Sequence, residues 1–339
     1  GEMVLRVKTD IEHKNPALRD WVAFRIIDTP HPREAAADYR CWPMLDFQSG
    51  VDDHRTGVSH IIRGIDLQDS AKRQRFLYDY FDWTYPEVVH WGHVQIDEYD
   101  VTLSTSTIKE LVDAGDLDGW DDPRAPTIKS VRRRGIRGQA IVDAMVELGT
   151  STSNVELSMS AVYANNRELI DDETDRRFLV RTGVEPRGEP GADYEAVELP
   201  IDGVPETAEP LLHPDHEERG TRDIPVGDRV VLEARDVPAD GERVWLQGLG
   251  GVRYDGDRLV ATDDDIDVVR DGDVDVVHWV PADAAVPVRL RTMDGDVLGV
   301  AEPGLVAYES DDMVQFVRVG FARIDRHDEG ETVAYFAHR

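Results

Sequence analysis

The sequence predicts an α/β plus all-β protein: an α/β segment first, a helical segment next, then a long region of strands. Three observations carry that order. Strand-like runs alternate with helical spacing over the first hundred residues. Apolar residues recur mainly at helical spacing between 104 and 170. From about 175 onward, short β-rich runs are separated by Asp, Gly and Pro turns.

Met3–Val7, Ala23–Ile27 and Val58–Arg63 read as strands divided by polar loops. Over 69–82, Ala71, Arg75, Leu77, Tyr78 and Phe81 fall at helical spacing behind Asp69, a candidate N-cap. Ser106 is placed to cap a helix over Ile108–Ala114 that Gly115 ends, and Ala140–Leu148 reads as a second amphipathic helix closed by Gly149. Beyond 175, Phe178–Arg181, Tyr194–Leu199, Arg229–Ala234, Arg243–Gln247, Val274–Trp279, Val286–Arg291, Val314–Arg318 and Thr332–Ala337 have strand composition, which suggests barrels or sandwiches. Residues 185–192 and 203–221 read as loops.

With 40% hydrophobic residues and no apolar run long enough to span a bilayer, the composition predicts a soluble globular chain. No charged-then-apolar leader opens it. A lone cysteine, Cys41, excludes an internal disulfide and a cysteine-based zinc cluster, which fits a reducing cytoplasm. The formal charge is −31, from 69 acidic and 38 basic residues spread along the whole chain. Of the basic residues 5 are Lys and 33 Arg, and no Lys follows Lys129. Disorder does not fit the periodic apolar segments, and an acidic tail does not fit the even spread. Adaptation to multimolar salt fits both: carboxylates keep the surface hydrated, and repulsion is screened within about 3 Å. Acidity of that origin does not exclude a nucleic-acid partner.

Cys41-Trp-Pro-Met-Leu-Asp-Phe, followed by Val51-Asp-Asp-His-Arg-Thr-Gly-Val-Ser-His-Ile-Ile-Arg-Gly, resembles the second half of the catalytic domain of class I glutamyl/glutaminyl-tRNA synthetases. Leu103-Ser-Thr-Ser, Gly119-Trp-Asp-Asp-Pro-Arg-Ala-Pro-Thr and Arg132-Arg-Arg-Gly follow in the family's order. Thr221-Arg-Asp-Ile-Pro, His278-Trp-Val and Gly320-Phe-Ala resemble the anticodon-binding barrels of its archaeal and eukaryotic branch. The ordered set covers essentially the whole chain. It implies the second half of a class I Rossmann catalytic domain over 1–103, a nucleotide loop and helical subdomain over 104–174, and anticodon-binding β-barrels over 175–339. It also implies the C-terminal part of a halophilic, archaeal-type glutamyl enzyme. The half bearing the family's His-Ile-Gly-His ATP motif is then missing, so the piece alone is expected to be inactive.

The resemblance assigns residues. Arg63 stands where glutamyl enzymes bind the substrate's side-chain carboxylate with a forked guanidinium, and glutaminyl enzymes carry a small uncharged residue. By composition alone it reads as an Arg solvated at a strand end. Leu45 and Ser49 match positions lining the amino-acid pocket, though Leu45 replaces a common Tyr. Gly64, His93 and Val94 match positions bordering ATP, with His93 in place of the more usual Arg. Ser104, Thr105 and Ser106 fall where the family's Lys-Met-Ser-Lys-Ser loop wraps the phosphates; Thr105 replaces the second lysine, and Lys109 is out of register. A capping loop is the plainer reading. His90-Trp-Gly-His93 imitates the His-Ile-Gly-His motif but lies too late in the chain and runs into Val94-Gln-Ile instead of a helix. Metal binding by that pair lacks a supporting carboxylate or cysteine set.

Arg124, Arg132, Arg133 and Arg134 are the expected contacts with tRNA phosphates, and Arg222 with anticodon nucleotides. A solvated helix face is the alternative for the three-Arg run. Trp245, Trp279 and Phe316 are candidate base stackers or barrel core, and Trp120 reads as core. The whole implies ATP-dependent activation of glutamate, with Mg2+ accompanying ATP, and transfer to tRNA(Glu). The tRNA for glutamine is a second candidate; neither a membrane nor DNA is expected. A glutaminyl enzyme, which Arg63 opposes, and a non-catalytic tRNA-binding module are the alternatives.

Overall fold

A computed structural model describes residues 3–186, 194–328 and 330–339; of the expected loop at 185–192, residues 187–192 lie outside the described residues. The chain forms two compact units, Gly1–Gln95 with Leu148–Glu156, and Ile96–Glu147 with Leu157–Arg339.

The first unit opens with an antiparallel sheet of β1 (Val4–Arg6), β2 (Val22–Ile26) and β3 (Cys41–Pro43). Helix α1 (Leu45–Thr56), strand β4 (His60–Gly64), helix α2 (Gln68–Tyr80) and strand β5 (Glu87–Trp91) follow. Strands β4 and β5 pair in parallel, with Arg63 opposite His90, which requires the α2 crossover between them. Trp21, Ala23 and Leu77 form the small core with Phe24, Phe47 and Val51. Helix α1 approaches α2 closely because it presents Gly50: a Cβ there would stand 3.3 Å from Gln74 Cγ. Helix α2 starts earlier than expected, fed by a 3-10 turn over Ile65–Leu67. Asp69 is therefore not its cap; it sits in the first turn, accepting from Asn15 Nδ2 at 2.9 Å and Lys72 Nζ at 3.2 Å.

Strand β6 (Val94–Ile96) comes next, then helices α3 (Thr105–Ala114), α4 (Ile128–Arg133) and α5 (Gly138–Leu148), strand β7 (Val155–Leu157) and helix α6 (Met159–Ile170). Ser104, not Ser106, caps α3, its Oγ accepting from Thr107 N at 3.4 Å; Ser106 lies inside the helix. Gly115 ends α3 in the left-handed region, φ 83°, as Gly149 does after α5 at φ 67°.

The strands of the second unit begin with β8 (Asp175–Arg177), β9 (Leu179–Pro186), β10 (Ala196–Asp202), β11 (Thr207–Ala208), β12 (Ile224–Pro225) and β13 (Arg229–Glu233). Then come β14 (Arg243–Leu246), β15 (Gly250–Tyr254), β16 (Leu259–Ala261), a short helix α7 (Asp267–Arg270), β17 (Val276–Val277) and β18 (Val280–Pro281). The last five are β19 (Val286–Arg291), β20 (Gly295–Ala301), β21 (Met313–Phe316), β22 (Gly320–Asp328) and β23 (Glu331–His338). Fourteen of the strands β8–β23 build two seven-stranded half-barrel sheets, ordered β17-β14-β15-β16-β10-β13-β18 and β8-β21-β22-β23-β19-β20-β9, and β11 pairs with β12 apart from these. Strand alternation joins the cores: Phe178 and Val180 fill one, while Leu179 between them fills the other.

Candidate functional site

Arg63 lies at the end of β4, where its guanidinium is 11% exposed and Nη1 donates to Gln74 Oε1 at 3.0 Å. Its Nη2 faces Asp53 Oδ2 at 3.8 Å. Burial, the largest influence, raises the Asp53 pKa above its ordinary value, and Arg63 opposes that shift. Ser49, one turn into α1, accepts from Gln74 Nε2 at 2.7 Å and donates to Leu45 O at 2.8 Å. The structure thus brings Arg63 and Ser49 together through one residue that sequence reasoning missed. Leu45 opens the helix on the same face, 58% exposed.

Gly64 follows Arg63 at the strand end, and His93 and Val94 lie beyond β5, with His93 exposed. The segment His90–His93 runs from strand to strand. Gly92 N donates to Ser151 O at 2.6 Å, and a Cβ on Gly92 would overlap the Ser153 carbonyl. Close backbone approach therefore accounts for this glycine. No group of three His, Cys, Asp or Glu side chains that could hold a metal occurs among the described residues. In the second unit, Thr105 and Ser106 expose the first turn of α3 with its unbonded N–H groups. Lys109 is tied to Asp113 on the same helix and supplies no free cation there.

The arginines separate by burial. Arg134 is 2% exposed: Nη2 donates to Tyr163 Oη and Ala337 O, both at 2.7 Å, and Nε to Phe336 O at 3.2 Å. A guanidinium so enclosed holds α4 against β23 and presents nothing to RNA, which corrects the expected phosphate contact. Arg133 is shared between Asp121 at 2.9 Å and Asp325 at 3.0 Å, over the Tyr335 ring. Arg124 lies on Asp122, with Nη2 2.7 Å from Oδ2. Burial is the largest influence on Asp122 and raises its pKa, but the hydrogen bonds from Arg124 and from backbone N–H groups outweigh it and hold it below its ordinary value. Arg132 is exposed and has no side-chain partner among the described residues.

Arg222 is 7% exposed, its Nε 2.8 Å from Glu302 Oε1 and its Cζ 4.6 Å over the Phe178 ring. The fully buried Glu302 also receives Arg177 Nη1 at 2.7 Å. Arg222 is thus an internal ion-pair member, not an exposed reader of bases. Trp279 and Phe316 are core, Trp245 is half-buried, and Trp120 packs on Ile108, Leu117 and Ala125.

A site that the sequence did not reveal lies between the two large sheets. A cavity of about 460 Å³ is lined by Arg181, Arg235, Gln315, Arg318 and Arg339. Glu233 holds Arg181 at 2.7 Å and Arg235 at 2.8 Å, and Asp236 holds Arg318 through two bonds of 2.7 and 2.9 Å. Four guanidiniums face Glu233 and Asp236, with Asp275 acting on Arg318 at longer range, so the hollow concentrates arginine in a chain of formal charge −31. It suits a polyanion with hydrogen-bonding edges.

The chain is similar to known proteins along most of its length. Residues 1–172 match the model for class I tRNA synthetases (E and Q), catalytic domain; 193–270 and 276–325 match models for their anti-codon binding domain. The chain is 72% identical over 338 residues to a glutamate–tRNA ligase of Natronomonas pharaonis and 72% identical over 340 residues to one of Halobacterium salinarum. It is 43% identical over 345 residues to one of Methanosarcina acetivorans. In each case the whole chain is covered, but only 57–58% of the relative.

Proposed function

The chain belongs to the class I tRNA synthetases of the E and Q type, and from that premise we propose that it serves ATP-dependent attachment of glutamate to tRNA(Glu). The observation that carries the RNA half of this reading is the cationic cavity between the large sheets. Gln315 offers both a donor and an acceptor at its mouth, the chemistry that reads an unstacked base edge. Arg132, exposed on the helical segment, adds a phosphate contact. Arg63 supports glutamate over glutamine, because its charge has a value only for a ligand carrying a carboxylate there. Leu45 and Ser49 shape the same pocket. Gly64, His93 and Val94 border the nucleotide, and the N–H groups and hydroxyls at Ser104–Ser106 receive its phosphates. Mg2+ enters with ATP as part of the substrate.

By role, the chain divides into catalytic residues 1–103, a nucleotide loop and helical region 104–174, and an anticodon-binding region 175–339. The tRNA for glutamine is a second substrate candidate, and the compartment is the cytoplasm; no helix among the described residues is long and apolar enough to cross a membrane. The test is binding of the chain, in multimolar potassium chloride, to a glutamate tRNA transcript and to one with an altered anticodon. Preference for the native anticodon, lost in Arg318→Gln, is the expected result. Equal binding to both by a folded chain would overturn it.

A further inference from the structure

Gln74 is a fully buried, uncharged residue in the middle of a helix, and every hydrogen-bonding position of its amide is used. Oε1 accepts from Arg63 Nη1 at 3.0 Å and from Tyr85 Oη at 2.7 Å. Nε2 donates to Ser49 Oγ at 2.7 Å and to Asp46 O at 3.2 Å. Two donors meet the oxygen and two acceptors meet the nitrogen, so the amide has one orientation only. Helix α1 comes near enough to make these bonds because Gly50 faces the Gln74 side chain, and Tyr78 Oη donates to Gly50 O at 2.8 Å. The Tyr85 ring stacks edge-on against Tyr78 and lies beneath the Arg75 guanidinium, which fixes its hydroxyl in turn.

We infer that Gln74 is the positioning residue through which α2 and α1 together aim Arg63 at a substrate carboxylate, and so sets the preference for glutamate over glutamine. This rests on the proposed reading of Arg63. The argument is one of charge. A carboxylate at position 74 would orient Arg63 equally well but would neutralise it, and a ligand carboxylate would meet an already satisfied cation. An apolar residue would leave the charge but not the aim. A primary amide does both: it takes one N–H of the fork and returns no charge, so the remaining donors stay available. Asp53, 3.8 Å from Nη2, pairs with Arg63 by charge but is beyond hydrogen-bond reach, so it offsets part of the charge without setting the aim.

The test uses the full chain in multimolar potassium chloride, with L-glutamate and L-glutamine titrated separately and read by saturation-transfer NMR. The parent is expected to favour glutamate by about tenfold or more, and Arg63→Gln to erase that preference. Gln74→Met and Gln74→Glu should each weaken glutamate by about tenfold while glutamine stays within about twofold. A residue that only supports the fold would move both amino acids together. If Gln74→Met fails to fold by circular dichroism, the near-isosteric Gln74→Glu decides. Folded variants that keep the parent's ratio would overturn the inference. A parent without preference, or an Arg63→Gln chain that retains it, would remove the glutamate reading of Arg63 itself, a pattern distinct from failure at Gln74 alone.

Discussion

Arg63 in the first unit and Arg222 in the second are both shielded arginines, yet their surroundings differ in kind. Arg63 leans on a neutral amide; Arg222 leans on Glu302, which also holds Arg177. The first spends one donor on the amide and has its carboxylate neighbour, Asp53, at 3.8 Å, beyond hydrogen-bond reach. The second gives up its charge to a buried network and gains rigidity. On the proposed reading of Arg63, a cation that serves a ligand and one that serves the fold differ in whether the hydrogen-bonded partner carries charge. Burial alone would have put them in one class.

The largest effect that bears on this contrast is expected from Glu302→Ala. It strands two buried guanidiniums, which costs about 3–5 kcal/mol. Denaturant unfolding at constant salt measures it. A loss under about 1 kcal/mol would mean that Arg222 is not neutralised by Glu302 and would dissolve the comparison.

Acid gives the next effect, of opposite sign at Asp53 and at three carboxylates of the second unit; Asp69 in the first unit, at the surface, is lowered by its bond to Lys72. In the second unit Asp122, Asp175 and Asp325 are each pushed up by burial but held below the ordinary 3.8 by stronger combined bonds to Arg124, Tyr308 and Arg219, and Arg133. Their stabilisation is complete above 3.8 and is lost as pH falls from there through their depressed values. Asp53 in the first unit is raised, so protonating it relieves a cost as pH falls through its value. Hydrogen exchange resolved by unit, from pH 7 down to about 3, should show the second unit loosening first. Simultaneous loosening would show that the carboxylate environments do not govern acid stability.

The smallest effect on stability belongs to Arg132→Gln, within about 0.5 kcal/mol. Its expected signature is in binding: the slope of log affinity for tRNA against log salt should flatten by about one. Arg134→Gln should instead destabilise the chain, since it opens the enclosed network at Ala337 and Tyr163. If the two variants behave alike, the division by burial is wrong.

The three-arginine run shows how much the sequence could give. Successive residues on a helix point about 100° apart, so three neighbours cannot all face one ligand. The run is accordingly divided into an exposed Arg132, a half-buried Arg133 and an enclosed Arg134. Most strands were legible because Asp, Gly and Pro turns bracket them, and Arg63 was singled out by its motif. Gln74 was not, because a glutamine on a helix reads as surface. The one available signal was Gly50, a glycine inside a helix, which marks close approach by a neighbour. The cationic cavity was illegible for a different reason: it forms around β9 and β21, which are placed by pairings with β20 and β8, strands far away in the chain.

Strand β23 (Glu331–His338), the last in the chain, lies at the centre of its sheet, between β22 and β19. Strand β9 must likewise wait for β20, made more than a hundred residues later. During synthesis this sheet therefore stays open until β23 has been made, with unpaired strand edges exposed meanwhile. A chain interrupted before β23 lacks the middle of a sheet instead of an edge.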